Sequence, residues 1–181
     1  MALINQFGGV RQIAFVVRDA EATMKVLAQT LGIGPFYAVR DYVPDDYHYR
    51  GEPAPAPRLT LAFGQAGVVQ VEVIQQHNDA PSAYTEFLHA GKEGVQHVAV
   101  WFADRANYEL ARGQMLSAKW SLVHENGLKS QAARFAYFAT SLPGGLMVEI
   151  AEALVPEAKP LVDMVASSAV GWDGREPIRY L

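Results

Sequence analysis

The sequence predicts an α+β fold made of two tandem βαβββ modules, with the helices outside and a C-terminal helix and tail. Two pairs of recurring segments carry this prediction. Residues 9–19 and 94–104 share Gly, Val, Ala and Asp at matching places, 94 − 9 = 85 positions apart. Residues 71–73 and 148–150, which read VEV and VEI, lie 148 − 71 = 77 positions apart. Segments that recur in the same order indicate a repeated structural unit.

We expect the first module to span residues 1–80. Asp19 follows an apolar run and is expected to cap a helix that Gly32 ends. Residues 41–57 are aromatic, charged and rich in proline, which predicts a long loop that could act as a lid. Apolar runs between these features predict the strands of the module. They lie at residues 10–17, 36–39, 59–63 and 68–74.

The second module is predicted at residues 94–155, after a linker or short helix within residues 81–93. Asp104 is expected to cap its helix, which runs to about residue 118. Its strands are predicted at residues 95–102, 120–124, 135–139 and 146–151. Residues 156–181 are predicted to form a helix and an extended tail that packs against the body or a dimer partner. We expect all these segments to form one structural domain.

The composition excludes several classes of function. The net charge of −4 and the pI near 5.7 do not favour nucleic-acid binding. The chain has no cysteine, which excludes disulfides, thiolate metal sites and cysteine nucleophiles. Its first residues lack the pattern of a signal peptide, and no apolar run is long enough to cross a bilayer. We therefore expect a soluble, cytoplasmic protein with no nucleic-acid or membrane partner.

Four polar side chains are predicted to share one face of the strands. Because side chains alternate along a strand, Gln12 and His97 lie opposite the purely apolar face that suits the helices. By the same alternation, Glu72 and Glu149 point away from the apolar residues beside them. A carboxylate on an apolar surface is costly unless it is paired or binds a cation. This nitrogen and oxygen donor set predicts a divalent metal site, open to zinc, nickel, cobalt, manganese or magnesium.

The histidine alone would not carry this prediction. A single inward histidine is more often a hydrogen-bonded core residue than a ligand. The prediction that His97 binds a metal therefore depends on the other three positions. Polar groups at four repeat-related positions favour a shared site. Gln12 is the weakest ligand of the four, and a role as a hydrogen-bond partner stays open for it.

Other polar and aromatic residues are weaker candidates. Four histidines without repeat partners are interpreted as surface or loop residues: His48, His77, His89 and His124. The segment at residues 47–50 could gate the site or pack its own aromatic rings. Three basic residues could meet an anionic substrate tail, although isolated basic residues are usually solvated: Arg58, Lys129 and Arg134. Three aromatic residues could line the pocket or fill the core: Phe63, Trp101 and Tyr137.

These motifs resemble those of the vicinal-oxygen-chelate superfamily, which includes glyoxalase I, bleomycin-resistance proteins, extradiol dioxygenases and methylmalonyl-CoA epimerase. The resemblance rests on QIA at Gln12, HVA at His97, the two closing VEV and VEI motifs, and the WDG of the tail. It implies a cupped mixed sheet around a metal, a homodimer, and ligands from the first and last strands of each module. Those ligands are Gln12, Glu72, His97 and Glu149. The set is similar to that of animal-type glyoxalase I, and a single histidine argues against the iron site of the dioxygenases.

The resemblance also implies a mechanism, namely proton transfer next to the carbonyl group of a small substrate. The metal would stabilise an enolate or enediolate, with Glu149 as the first choice of base and Glu72 as the opposing acid or base. The enzyme would then be an isomerase, an epimerase or a lyase. The alternative is a non-catalytic protein that binds a small molecule, of the bleomycin-resistance type. In a third interpretation Gln12 marks a lost metal, and the four polar residues satisfy one another.

Overall fold

The computed structural model describes residues 6, 8–127, 129–130 and 132–181. Its first half contains β1 (Gln12–Val16), α1 (Ala20–Leu31), β2 (Phe36–Tyr42), β3 (Tyr47–Tyr49), β4 (Glu52–Pro53), β5 (Leu59–Ala66) and β6 (Val69–Gln76). The second half contains α2 (Ala83–His89), β7 (Gly94–Trp101), α3 (Arg105–Ser117), β8 (Ser121–Asn126), β9 (Phe135–Ala139) and β10 (Met147–Ala151). The chain closes with α4 (Lys159–Ser168) and β11 (Ile178–Tyr180).

The strands form one curved, unclosed mixed sheet. Their order is β11-β2-β5-β6-β1-β7-β10-β9-β8-β3-β4. The first and last strands of each half run parallel, as β1 with β6 and β7 with β10, and β1 runs antiparallel to β7 at the centre. The two halves therefore have the same strand order on either side of the centre. The α+β fold class predicted from the repeat is confirmed.

The strand register carries the sequence repeat into the sheet. Ala14 pairs with Glu72 on one side and with His97 on the other. Ala99 occupies the equivalent place in the second half, since it pairs with Gln12 and with Glu149. Ala14 and Ala99 are 99 − 14 = 85 positions apart, which is the offset of the first repeat. The two alanines leave room beside the polar residues that flank them.

The outer face of each half is covered by one helix, as the sequence predicted. The Asp19 carboxylate caps α1 by accepting from the Ala22 amide, and Gly32 ends it with φ 66°. The Asp104 carboxylate caps α3 in the same way by accepting from the Asn107 amide. Two apolar clusters lie beneath these helices. Met24 of α1 packs in one cluster with Phe36 and Val73 of the sheet, and Tyr108 of α3 packs in the other with Phe138 and Ile150.

The inner face of the sheet is partly filled by α2. Tyr84 and Phe87 of this helix pack against Ala14, Val16 and other inward side chains. Ser82 caps the helix by accepting from the amides of residues 84 and 85. The segment that the sequence left as a linker or short helix is thus a helix that closes one end of the inner face.

Two segments differ from the prediction or extend it. The expected loop at residues 41–57 contains β3 and β4, and β3 pairs antiparallel with β8 of the other half. Its three-residue strand is too short to give a periodic pattern, and its order comes from long-range contacts such as the Tyr47 hydroxyl donating to Pro81 O at 2.9 Å. The tail packs against the body, where β11 pairs with β2. Within the described ranges, no helix is long and apolar enough to cross a bilayer.

Candidate metal centre

Three of the four predicted ligands meet on the inner face of the sheet. His97 Nε2 lies 3.2 Å from Glu149 Oε2 and 3.6 Å from Glu72 Oε2. One ligand atom from each of the three residues falls within 4.8 Å of the others. All three side chains are buried. The arrangement offers two carboxylate oxygens and one imidazole nitrogen to a single point.

The strand register explains this convergence. Glu72 and His97 both pair with Ala14 of β1. Glu149 of β10 pairs with Ala99, which lies two residues after His97 on β7. Side chains two residues apart on a strand share a face, so Glu149, which pairs with Ala99, points to the same side of the sheet as His97 and Glu72. The small methyl groups of Ala14 and Ala99 between them leave the longer side chains free to meet.

The fourth predicted ligand, Gln12, pairs with Ala99, the same residue that Glu149 pairs with on the other side. It is buried, and its Nε2 donates to Gln70 Oε1 at 2.8 Å. This hydrogen bond fixes the amide with its nitrogen toward Gln70. The oxygen is the atom that a cation would use, so the bond is compatible with the predicted ligand role as well as with a hydrogen-bonding role.

Gln96 is a residue of this site that the sequence analysis missed. Strand alternation places it on the face opposite His97. A β-bulge in the pairing of β1 and β7 leaves Gln96 as an extra residue and turns its side chain inward. There Gln96 Oε1 accepts from His97 Nδ1 at 2.6 Å, and Gln96 Nε2 donates to Ala83 O at 3.2 Å. No pattern in the sequence marks the bulge.

The hydrogen bond to Gln96 decides which nitrogen of His97 faces the carboxylates. An amide oxygen only accepts, so Nδ1 carries a hydrogen and Nε2 is left toward Glu72 and Glu149. Burial lowers the pKa of His97, but Glu149 and Glu72 raise it more, to about 9. The pKa of Glu72 is raised, chiefly by burial. The charge of Glu149 also raises this pKa, whereas His97 lowers it. A positive charge at the centre of the three residues is therefore strongly stabilised.

The donor set fits a divalent cation in that central place. Glu149 Oε2 is buried, and its contact with His97 Nε2 at 3.2 Å is a hydrogen bond only while that nitrogen carries a proton. Buried carboxylate oxygens are normally satisfied, so a neutral His97 ring would leave this oxygen in need of a cation. Metal-ligating histidines commonly donate their second ring N–H to a protein oxygen, as His97 does to Gln96. Glu72, His97 and Glu149, with Gln12 beside them, match the nitrogen and oxygen ligands of Zn, Ni, Co, Mn and Mg sites.

A cavity of about 170 Å³ opens onto these residues. Its floor includes Gln12, Glu72 and Glu149, and its walls include Phe63 and Trp101. The two aromatic residues thus line the pocket, which was one of the two interpretations left open for them.

Comparison with known proteins supports the resemblance seen in the sequence. The Glyoxalase/Bleomycin resistance protein/Dioxygenase superfamily model matches residues 11–138. The chain belongs to this superfamily. Members of the superfamily bind divalent metals, and they include enzymes such as epimerases. A sequence search among curated proteins gives no match.

Solved structures show the same superfamily fold. Methylmalonyl-CoA epimerase from Mycobacterium tuberculosis is similar at 17% identity and a TM-score of 0.52, over 85% of this chain and 91% of that one. A hypothetical protein from Bacillus halodurans is similar at 14% identity and a TM-score of 0.50, over 79% of this chain and 92% of that one. These likenesses concern the fold.

Two buried tyrosines, Tyr137 and Tyr84, lie next to the proposed metal ligands. The Tyr137 hydroxyl lies 3.3 Å from His97 Nε2 and accepts from the Tyr84 hydroxyl at 3.0 Å. Burial raises the pKa of both tyrosines well above the usual value. Both phenols therefore remain neutral, and Tyr137 can act as a hydrogen-bond donor next to the ligands.

His124 was expected on the surface, and this expectation is wrong. Its ring is fully buried in β8, edge-on to Tyr84 and Tyr137 at centroid distances of 4.9 and 4.3 Å. A β-bulge in the pairing of β8 and β9 turns it inward, beside the Tyr47 hydroxyl. Burial lowers the pKa of His124 to about 3, with a further contribution from His97. The other predicted surface histidines, His77 and His89, are exposed, and His48 is half-buried.

The basic candidates do not offer a free charge to the cavity. Arg134 lines it but is buried in ion pairs with Glu109 and with Glu152, the latter at 2.8 Å. Arg58 is exposed and pairs with Asp41 at 2.6 Å. Lys129 lies in a turn where its backbone amide donates to Asp46.

The segment at residues 47–50 is tied to α2. Tyr49 donates to Glu86, and Arg50 pairs with the same carboxylate at 2.7 Å. These bonds hold the segment as a strand and turn beside α2, where its aromatic residues pack within the protein.

Proposed function

We propose that this protein is a metal-dependent isomerase, epimerase or lyase that transfers a proton next to the carbonyl group of a small substrate. The observation that carries the proposal is the meeting of the buried side chains Glu72, His97 and Glu149 around one point, beside a cavity that both carboxylates line. Membership of a superfamily that includes epimerases supports this class of reaction.

The proposed ligands are Glu72, His97 and Glu149, with Gln12 as the fourth. A divalent ion bound there would supply electrostatic stabilisation to the negative charge that forms on a substrate oxygen. His97 has the role of a fixed ligand, because Gln96 and the surrounding strands hold its ring. The ion is one of Zn, Ni, Co, Mn or Mg.

The two carboxylates are the proposed proton carriers. Glu149 is the first choice of base, because its carboxylate lines the cavity where a substrate would bind. Glu72 is the proposed partner on the other side of the substrate carbon, since the repeat relates the two strands that carry them. Burial raises the pKa of Glu72, so this carboxyl group holds a proton more readily than a solvated one. Together they can remove a proton and return it.

The alternative, a binding protein without catalysis, has less support from the structure. Binding an apolar molecule does not require two buried carboxylates around a histidine, and burying them is costly. In an inactive relative the polar residues would satisfy one another, with a protonated His97 between Glu72 and Glu149. Elemental analysis of the purified chain separates this arrangement from a bound ion.

The proposal is tested by proton exchange. The metal-loaded protein is incubated in D₂O with a panel of small α-hydroxy ketones and 2-substituted acyl compounds, and NMR follows deuterium at the carbon next to the carbonyl. We expect exchange with at least one compound, and a loss of about 10²-fold or more in Glu149→Gln, as for removal of a general base.

Two matched changes complete the test. Glu72→Gln should also reduce exchange, whereas Glu52→Gln, at an exposed position of β4, should leave it unchanged. Full exchange activity in Glu149→Gln would contradict the proposed role of this residue. No exchange by the metal-loaded wild type with any compound would favour the binding protein.

A further inference from the structure

The cavity above the proposed metal centre has a roof formed by α4. Ala158, Leu161 and Val162 line the cavity that Glu72 and Glu149 also line. Val165, one turn further along the helix, is fully buried. The C-terminal helix thus faces the site with its apolar side, and the opposite side carries the exposed Lys159–Asp163 ion pair.

The roof is held down at its far end by the first half of the chain. The Ser168 hydroxyl lies 2.8 Å from the Tyr37 hydroxyl, which also accepts from Arg179 Nη1 at 2.9 Å. Beyond the helix, the Trp172 ring packs on Gly34 so closely that a Cβ there would lie 2.9 Å from it. These contacts fix α4 across the cavity.

The space beneath α4 is small and offers little to an anionic group. Its volume of about 170 Å³ is below the roughly 300–1,000 Å³ typical of small-molecule sites. Phe63, Trp101 and Phe135 form its apolar walls. Among the described residues that line it, the one cation is Arg134, which is committed to two carboxylates, and the floor itself is acidic. A phosphate or carboxylate tail would lose water without gaining a partner.

We propose that the roof selects a compact, uncharged carbonyl compound with a short apolar substituent, and that Leu161 and Val162 are the residues that set this limit. The inference rests on the proposed function, because the carbonyl group is placed at the metal. It goes further in excluding substrates that carry an extended anionic carrier, such as a coenzyme A thioester.

The test uses the whole chain loaded with Mn²⁺, which relaxes the NMR signals of a ligand that reaches it. The two probes are 3-hydroxy-2-butanone, a small uncharged ketone, and propionyl-coenzyme A. In the wild type we expect the ketone protons to relax faster and the propionyl protons to show no metal-dependent change. Leu161→Trp should weaken ketone binding by about tenfold or more, the scale of one misfitted group in an apolar pocket. Leu161→Ala should admit the propionyl group.

The control changes are Val170→Trp and Val170→Ala, because Val170 follows α4 and is exposed. Both should behave as the wild type. Equal relaxation of both probes in the wild type, or unchanged ketone binding in Leu161→Trp, would overturn this inference and leave the proposed function standing. Failure of the wild type to bind Mn²⁺ or any other divalent ion would overturn the proposed function, and this inference with it.

Discussion

At the scale of single residues, the four polar positions found in the sequence differ in how they are held. Glu72, His97 and Glu149 come together as predicted. Gln12 lies nearby on β1, with its amide hydrogen-bonded to Gln70. Their ligand roles stay a prediction. Their placement was visible in the sequence because it follows from strand alternation and the repeat. The contact of His97 with its own neighbour in sequence was not visible, since it depends on a bulge.

The first prediction concerns Gln96. In Gln96→Leu the His97 ring loses the acceptor for Nδ1–H, so the affinity for Zn²⁺ or Ni²⁺ should fall about 10- to 100-fold, the usual effect of losing an outer partner of a ligating histidine. Competition titration with a chromophoric chelator measures the affinity. Gln96→Glu keeps an acceptor oxygen and should retain more of the affinity. Gln114→Leu, at an exposed position of α3, is the matched control.

An unchanged affinity in Gln96→Leu would show that His97 is oriented without Gln96. An equal loss in Gln96→Glu and Gln96→Leu would show that packing around Gln96 matters rather than its oxygen.

The second prediction concerns His124. Its pKa of about 3 in the fold lies below the ordinary 6.5, so the fold favours the neutral ring. The stability that this gives is fully present above pH 6.5 and is lost as the pH falls toward 3. In His124→Phe, the free energy of unfolding should therefore fall less between pH 7 and pH 4, by on the order of 3 kcal/mol.

Urea unfolding at both pH values, in the presence of a chelator, measures this difference. His89→Phe, at an exposed position, should keep the pH dependence of the wild type. The same pH dependence in His124→Phe as in the wild type would mean that His124 is protonated without cost in the fold.

At the scale of elements, the positions of the helices could be predicted from the sequence better than those of the irregular strands. Helix ends have local causes: Asp19 and Asp104 precede amides that they cap, and a glycine ends α1. The short strand β3 has no such signal, because its partner β8 is 126 − 47 = 79 residues away in the chain. The bulges that turn Gln96 and His124 inward are likewise consequences of pairing between distant strands.

The third prediction uses the two repeat-related caps. Asp19→Ala and Asp104→Ala each remove a carboxylate that accepts from the first turn of a helix. Each change should lower the free energy of unfolding by about 1 kcal/mol. The two sites share no partner, so the double variant should lose the sum within about 0.5 kcal/mol. Urea unfolding measures all three variants, and a loss in one cap alone would contradict the equivalence of the two halves.

At the scale of the whole molecule, the repeat explains where the site lies. The two halves meet along the antiparallel strands β1 and β7, where Gln12 pairs with Ala99 and Ala14 pairs with His97, so the repeat-related residues lie close together across one seam. This much followed from the sequence, and so did the outer helices. The C-terminal helix was also predicted, and a helix was one interpretation of residues 81–93, but the positions of α2 and α4 were not, because an apolar helix face does not show which surface it will cover. The acidic floor of the candidate site and two of its aromatic wall residues, Phe63 and Trp101, could thus be proposed from the sequence, whereas the helix that covers the site could not.

The central claim is that Glu72, His97 and Glu149 bind one divalent ion. Elemental analysis of the purified chain, before and after chelation and reconstitution, measures this directly in the wild type, in His97→Ala and in the exposed control His89→Ala. We expect close to one equivalent per chain in the wild type and the control, and its loss in His97→Ala. A wild type that holds no divalent metal after reconstitution, or a His97→Ala variant that keeps a full equivalent, would contradict the claim.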